Sequence, residues 1–259
     1  MEQNNKVALI TGAGRGIGKA TALRLAKDGY STILLARTES QIDGVAAEIR
    51  EMGQDAVTAV CDVASQANVN EVIGRVCREV DAVDVLVNCA GRGGGGHTRE
   101  MDDDLWHEII AINLHGVYYV TKAVLAGEKM RTPGGSIINI ASTGGKQGVI
   151  YAAAYCSTKH AVVGFSKSLG LELAGQGITV NAVCPGFVET DLAVKARQGY
   201  SRIWQVDEAE AKKRIEARVP IGRYIMPEEV ADMVAYVASD SARGITAQAI
   251  NICGGLGNY

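Results

Sequence analysis

Apolar residues follow two rhythms along this chain. Short runs rich in Val, Ile and Ala occupy residues 6–10, 31–36, 56–61, 84–88, 136–141, 178–183 and 247–252, and their length and β-branched content predict strands. Between them, apolar positions recur at helical spacing from Ile17 to Asp28, Gln41 to Met52, Gln66 to Val80 and Glu228 to Ala238. In the last stretch Val230, Val234 and Val237 share one face, and Pro227 precedes the first turn. Strands that are apolar on both sides need cover on both faces, so the alternation predicts a doubly wound α/β fold with a parallel sheet of about seven strands.

One region breaks the rhythm. Residues 192–219 are charged, carry Tyr200 and Trp204, and offer helices without a strand. A lid inserted over the carboxyl ends of the strands, spanning about 190–219, has this pattern, as does a plain pair of surface helices. With no linker or repeat, residues 1–259 read as a single domain.

Composition narrows the function classes. The formal net charge of −3, with no basic run, argues against nucleic acid as a partner. No apolar run reaches 18 residues, so neither a membrane span nor a secretion signal is expected. The six cysteines lack Cys-x-x-Cys spacing, and His97, His107, His115 and His160 are scattered, so no metal site is expected. Reduced thiols point to a cytoplasmic protein, and surface or supporting roles are the default for the histidines.

The first predicted strand runs into "TGAGRGIG", residues 11–18. Gly12, Gly16 and Gly18 let the backbone turn tightly and approach a pyrophosphate at a helix N-terminus. Ile17 occupies the position of a glycine in the Gly-x-Gly-x-x-Gly fingerprint. This loop, "CDV" at 61–63, "NCAG" at 88–91, Asn113 in "INLHG" and "CPGFVET" at 184–190 together resemble the short-chain dehydrogenase/reductase superfamily, over the whole chain. The resemblance implies a Rossmann-like domain in which Thr11, Gly12, Arg15, Gly16, Ile17, Gly18, Asp62, Val63, Asn88, Ala90, Gly91, Pro185, Gly186, Val188 and Thr190 bind a nicotinamide cofactor. Cys89 replaces the second Asn of the usual "NNAG".

An NAD site places a carboxylate at the end of the second strand, where it accepts the ribose 2′-hydroxyl and repels a 2′-phosphate. Here that position is Ala36, followed by Arg37, with Arg15 in the glycine loop. Two guanidiniums can flank a phosphate, so NADP(H) is the expected cofactor. Glu39 stands at roughly the distance of a competing carboxylate, although "TES" also reads as the start of the next helix.

In "YAAAYCSTK" only Tyr155 has a lysine four residues on, Lys159. An ammonium there would lower the tyrosine pKa and make Tyr155 the general acid. Ser142, thirteen residues earlier, is placed to donate to a carbonyl oxygen. The resemblance adds that Lys159 holds the nicotinamide ribose and Asn113 a water of a proton relay.

"IASTGGKQGV", "RVPIGRY" and the segment "TAQAINICGGLGNY" narrow the resemblance to ketoreductases of aromatic polyketide synthesis, of the actinorhodin type. These reduce one ketone of a poly-β-ketone held on an acyl carrier protein. The resemblance implies a homotetramer and a pocket lined by Thr143, Gln147, Val149, Phe187 and Tyr200. Gly94 and Gly95, in a run read as floppy because Gly93 replaces the family's Pro, would meet the polyketone. Tyr151 reads as a pocket wall or a packing residue, and Arg37, Lys195, Arg197 and Arg202 are the cations that would meet an acidic carrier. A 3-oxoacyl carrier-protein reductase or another ketone reductase of the superfamily remains an alternative, as does a nucleotide-binding protein without catalysis.

Overall fold

The computed structural model describes residues 6–259. Seven strands form one parallel sheet in the order β3-β2-β1-β4-β5-β6-β7. They are β1 (Val7–Thr11), β2 (Ser31–Ala36), β3 (Ala56–Val60), β4 (Val85–Asn88), β5 (Ser136–Ile140), β6 (Thr179–Pro185) and β7 (Ala249–Ile252). All seven predicted runs form strands, with ends shifted by at most two residues. The order reverses between β1 and β4, and ligands of open α/β sheets bind outside the carboxyl ends at such a switch.

Helices cover both faces. On one side, α1 (Gly16–Lys27), α2 (Glu39–Glu51) and α9 (Pro227–Ala238) bury Leu25, Ile42, Ile49 and Val234 against the sheet. On the other lie α3 (Gln66–Val76), α4 (Asp103–Ile110), α5 (Gly116–Ala126) and α6 (Ala153–Leu173). The insertion forms α7 (Asp191–Trp204) and α8 (Glu208–Glu216), which pack on each other around a separate small core.

Helices α4 and α5 are continuous through a π-helical turn, Ala111–His115. The resulting 24-residue helix has a window of mean hydropathy 1.4, a length and composition that membrane spans share with buried core helices. It packs against α3 and α6 as a core helix of the domain, and its wide turn carries Asn113 toward the cleft. Such turns concentrate at functional sites.

Candidate active site

The glycine turn after β1 is built for close main-chain approach. Gly12 takes φ +67°, and a Cβ there would lie 2.8 Å from the Cα of Ala90. At Gly18 a Cβ would lie 2.1 Å from the carbonyl oxygen of Gly12, so the start of α1 seats directly on the turn. Thr11 Oγ1 accepts the N–H groups of Cys89 and Ala90 at 3.0 and 3.1 Å, tying β1 to β4 at the switch. The N-terminus of α1 has no side-chain cap and no acid in its first turn, whereas Ser65, Thr190 and Asp207 cap α3, α7 and α8. Free N–H groups behind a glycine turn fit a pyrophosphate. The residues present therefore suit a dinucleotide.

Arg37 is exposed just past β2. Arg15 reaches across to Asp191 at the start of α7, 3.2 Å away, with both side chains more than half exposed. Glu39 falls in the first turn of α2, as its alternative reading held.

Asn88 departs from its expected place. It is 2% exposed, and its Nδ2 donates to Thr121 Oγ1 at 2.9 Å and Asn139 Oδ1 at 2.8 Å. Asn139 in turn donates to Ser166 on α6. The side chain thus joins β4, β5, α5 and α6 from within. This chain of polar groups was invisible in the sequence because its members lie up to 78 positions apart.

Ser142 follows β5 by two residues and caps the short turn Thr143–Gly145, its Oγ accepting the Gly144 N–H at 3.0 Å. Its own proton remains available to be donated on the side of Tyr155, whose phenolate form it favours. Lys159 lies one turn along α6, 6% exposed, its Nζ 5.7 Å from the Tyr155 ring centre and donating to the Ile140 carbonyl at 2.8 Å. Strand β5 therefore positions the serine and anchors the lysine, and α6 presents the tyrosine.

The expected fall in the Tyr155 pKa is not found. Burial raises it above the ordinary tyrosine value, and the Ser142 hydrogen bond pulls it only partly back. Part of the side chain stays open to the cleft, so this enclosure is incomplete. Lys159 gives little help because burial pulls its own pKa down to about 8, against the opposing influence of Cys89 and Cys184. Desolvation outweighs the i, i+4 charge that spacing alone suggests.

Asn113 is fully buried, and its side-chain amide is engaged by the protein itself. Its Oδ1 accepts the Arg92 N–H at 2.8 Å, while Nδ2 donates to the Arg92 carbonyl at 2.9 Å and to Thr158 at 3.3 Å. It fixes the loop after β4 to α6. A Cβ on Gly91 would come within 3.5 Å of Asn113 Oδ1 and 3.8 Å of Lys159 Nζ, so this glycine faces both.

Beyond Ser142, Tyr155 and Lys159, Tyr200 stacks on Trp204 with ring centres 4.6 Å apart and joins Tyr224 in the small core of the α7–α8 insertion, against which Tyr151 and Phe187 pack. Trp204 and Tyr224 were missed as members of this cluster. The sequence signals were Trp204 in the charged segment and Tyr224 at the end of "RVPIGRY". Thr143 is buried, and Gln147 and Val149 are half-buried beside it.

Arg197 is not free to meet a carrier protein. Its side chain is 12% exposed, pairs with Glu189 at 2.6 Å and lies 5.3 Å over the Tyr224 ring. Lys212 pairs with the same Glu189 at 3.0 Å. These two cations hold the Glu189 carboxyl below its ordinary pKa, although its own burial works the other way. Arg37, Lys195 and Arg202 are exposed.

The glycine run is not floppy. A Cβ would lie 2.9 Å from Leu192 at Gly93, 2.9 Å from Ile109 at Gly94 and 1.9 Å from the Tyr151 carbonyl oxygen at Gly95. The space that side chains would fill is occupied by α7, α4 and Tyr151.

The short chain dehydrogenase family profile matches residues 6–201. A Streptomyces coelicolor protein provisionally named a ketoacyl reductase is 54% identical over 258 residues, covering 99% of each chain. A 3-oxoacyl-[acyl-carrier-protein] reductase of Synechocystis is 38% identical over 253 residues, covering 97% of this chain and 96% of the other. The crystal structure of a single-residue variant of actinorhodin polyketide ketoreductase with NADPH superposes with a TM-score of 0.94 at 52% identity, covering 99% of both chains. On this match, extending over fold, glycine turn and Ser-Tyr-Lys trio, the chain belongs to the short-chain dehydrogenase family.

Proposed function

We propose that this protein is an NADPH-dependent ketoreductase that reduces one ketone of a carrier-protein-bound poly-β-ketone to a secondary alcohol. The observation that carries the reading is the convergence of Ser142, Tyr155 and Lys159 at the carboxyl end of β5, beside an uncapped helix N-terminus suited to a pyrophosphate. Bound NADPH supplies the hydride. Ser142 donates a hydrogen bond to the ketone oxygen, and Tyr155, protonated throughout the neutral range, delivers its proton to the forming alkoxide. Lys159 is oriented by Ile140 for the ribose and for the phenolate left behind. Thr11, Gly12, Gly16, Ile17, Gly18, Asp62, Val63, Ala90, Gly91, Pro185, Gly186, Val188 and Thr190 form the cofactor wall, with Arg37 and Arg15 on the 2′-phosphate.

Thr143, Gln147, Val149, Tyr151, Phe187 and Tyr200 form the pocket in this reading. Exposed Arg37, Lys195 and Arg202 meet the acidic carrier protein. The 43% exposed Tyr118 and 74% exposed Leu171 on α5 and α6 support a subunit contact in a homotetramer, and six free thiols support a cytoplasmic setting. Greater identity to polyketide ketoreductases than to the fatty-acid enzymes favours the bulky substrate. Steady-state NADPH oxidation tests it: trans-1-decalone should be turned over with higher kcat/KM than a linear acetoacetyl thioester. Preference for the linear thioester would favour the fatty-acid-type alternative.

A further inference from the structure

Tyr151 has φ +62°, a left-handed conformation that a side chain of this size adopts only where its surroundings impose it. Three contacts do so. Its carbonyl oxygen accepts the N–H of Gly96 at 2.8 Å, with Gly95 passing so close that no Cβ would fit. Its ring meets the exposed His97 imidazole edge to face, centres 4.9 Å apart at 68°. It also packs against the lid core of Tyr200 and Tyr224. At the other end of the same glycine run, Gly93 lies against Leu192 of α7. The loop is thus pinned at two points, one of them four residues ahead of Tyr155.

We infer that His97 and Tyr151 form a clasp that holds the glycine loop as the outer wall of the substrate entrance and so sets the width of ketone admitted; this rests on the ketoreductase reading. The main-chain bond from Gly96 to Tyr151 fixes the distance between loop and general acid. The His97 ring closes the seam from outside. His97, read from the sequence as a surface or supporting residue, is here a positioning residue that acts through Tyr151. A bicyclic ketone spans the gap between loop and lid and senses its width, whereas a monocyclic ketone does not.

The test compares His97→Ala and His97→Phe with wild type, using trans-1-decalone and cyclohexanone. An edge-to-face aromatic contact corresponds to roughly a twofold to tenfold change in an equilibrium. His97→Ala should shift the decalone-to-cyclohexanone ratio of kcat/KM by that amount, through KM for decalone, with kcat for cyclohexanone and the dissociation constant for NADPH unchanged. His97→Phe, which keeps the ring contact, should restore the ratio. Gly95→Ala, which forces the loop off the Tyr151 carbonyl, should move the ratio further in the same direction. An unmoved ratio in His97→Ala, or equal shifts in His97→Ala and His97→Phe, overturns the clasp alone. Failure of the wild-type protein to oxidise NADPH with either ketone overturns the ketoreductase reading and the clasp together.

Discussion

At the end of the cleft proposed for the cofactor the wall is main chain: Gly12, Gly18, Ala90 and the bare N-terminus of α1 meet at distances that admit no side chain. At the end proposed for the substrate the wall is side chain, with Tyr151, Phe187, Tyr200, Trp204 and Tyr224 drawn from loops, a strand end and the α7–α8 insertion. The first end is built mainly from one short stretch of sequence, closed by Ala90 from the loop after β4, and suits a ligand whose phosphates are always the same. The second is assembled by tertiary packing and can be re-cut for a new substrate without disturbing the sheet. Ser142, Tyr155 and Lys159 stand at the seam.

The seam is where the largest effect is expected. Tyr155→Phe should lower kcat for ketone reduction by about 10²- to 10⁴-fold, the range a positioned proton donor contributes, while NADPH quenching of protein fluorescence still titrates normally. Wild-type turnover in this variant would remove Tyr155 as the acid and with it the division into two ends. Next in size is the cofactor wall. Gly18→Ala places a Cβ 2.1 Å from the Gly12 carbonyl and must displace the turn. NADPH affinity should fall by at least about tenfold, the equivalent of about 1.4 kcal/mol, and the decalone-to-cyclohexanone ratio should stay put among enzyme molecules that still bind cofactor. A change in that ratio would show that the ends are not separable.

The difference between the ends also explains what could be read without a structure. The strand positions, the glycine turn and the order of Ser142, Tyr155 and Lys159 were legible, because each depends on local spacing or on continuous burial. Asn88 was misplaced because its partners Thr121 and Asn139 are distant in sequence. Arg197 looked like a free cation because nothing in "KARQGY" announces Glu189 and Tyr224. The glycine run looked mobile because glycines that serve close packing and glycines that serve flexibility are written alike. The Tyr155 pKa went the wrong way because desolvation is a tertiary quantity.

Lys159 gives a pH test that bears on the seam. Its folded-state pKa of about 8 lies below the ordinary 10.5, so the folded protein holds its proton less tightly than the unfolded chain does. Between about pH 8 and pH 10.5 the unfolded state binds more protons, and this group's contribution makes stability rise with pH through that window. Below pH 8 the full cost of the buried ammonium is present. Lys159→Met, which removes the charge and keeps an unbranched apolar stem, should therefore raise the Tm near pH 7 although it abolishes turnover, and the gain should shrink as pH rises above 8. In the wild-type protein kcat/KM for NADPH, which reports the free enzyme, should fall above about pH 8 as the ammonium that would meet the ribose is lost. A Tm gain that is the same at pH 7 and pH 9.5 would place the cost elsewhere.

The smallest effect is expected from the lid's own polar clamp, and it bears most finely on the comparison. Glu189 sits between the cofactor wall at Val188 and the lid at Asp191, bridging Arg197 on α7 and Lys212 on α8 at 2.6 and 3.0 Å. Glu189→Gln keeps the shape and one hydrogen-bond acceptor but removes the charge that balances two cations. The Arg197 side of the pair is mostly enclosed and the Lys212 side is 41% exposed, so screening limits the loss on the second. A destabilisation of about 1 kcal/mol is expected, below the roughly 1.5–3 kcal/mol of hydrogen bonds to charged groups because solvent screens part of the pair. The informative measurement is the split in kinetics. If the lid serves only the substrate end, KM for decalone rises two- to threefold and the NADPH dissociation constant is unmoved. Equal loosening of both ligands would mean that α7, through Asp191 and Arg15, belongs to the cofactor end as well.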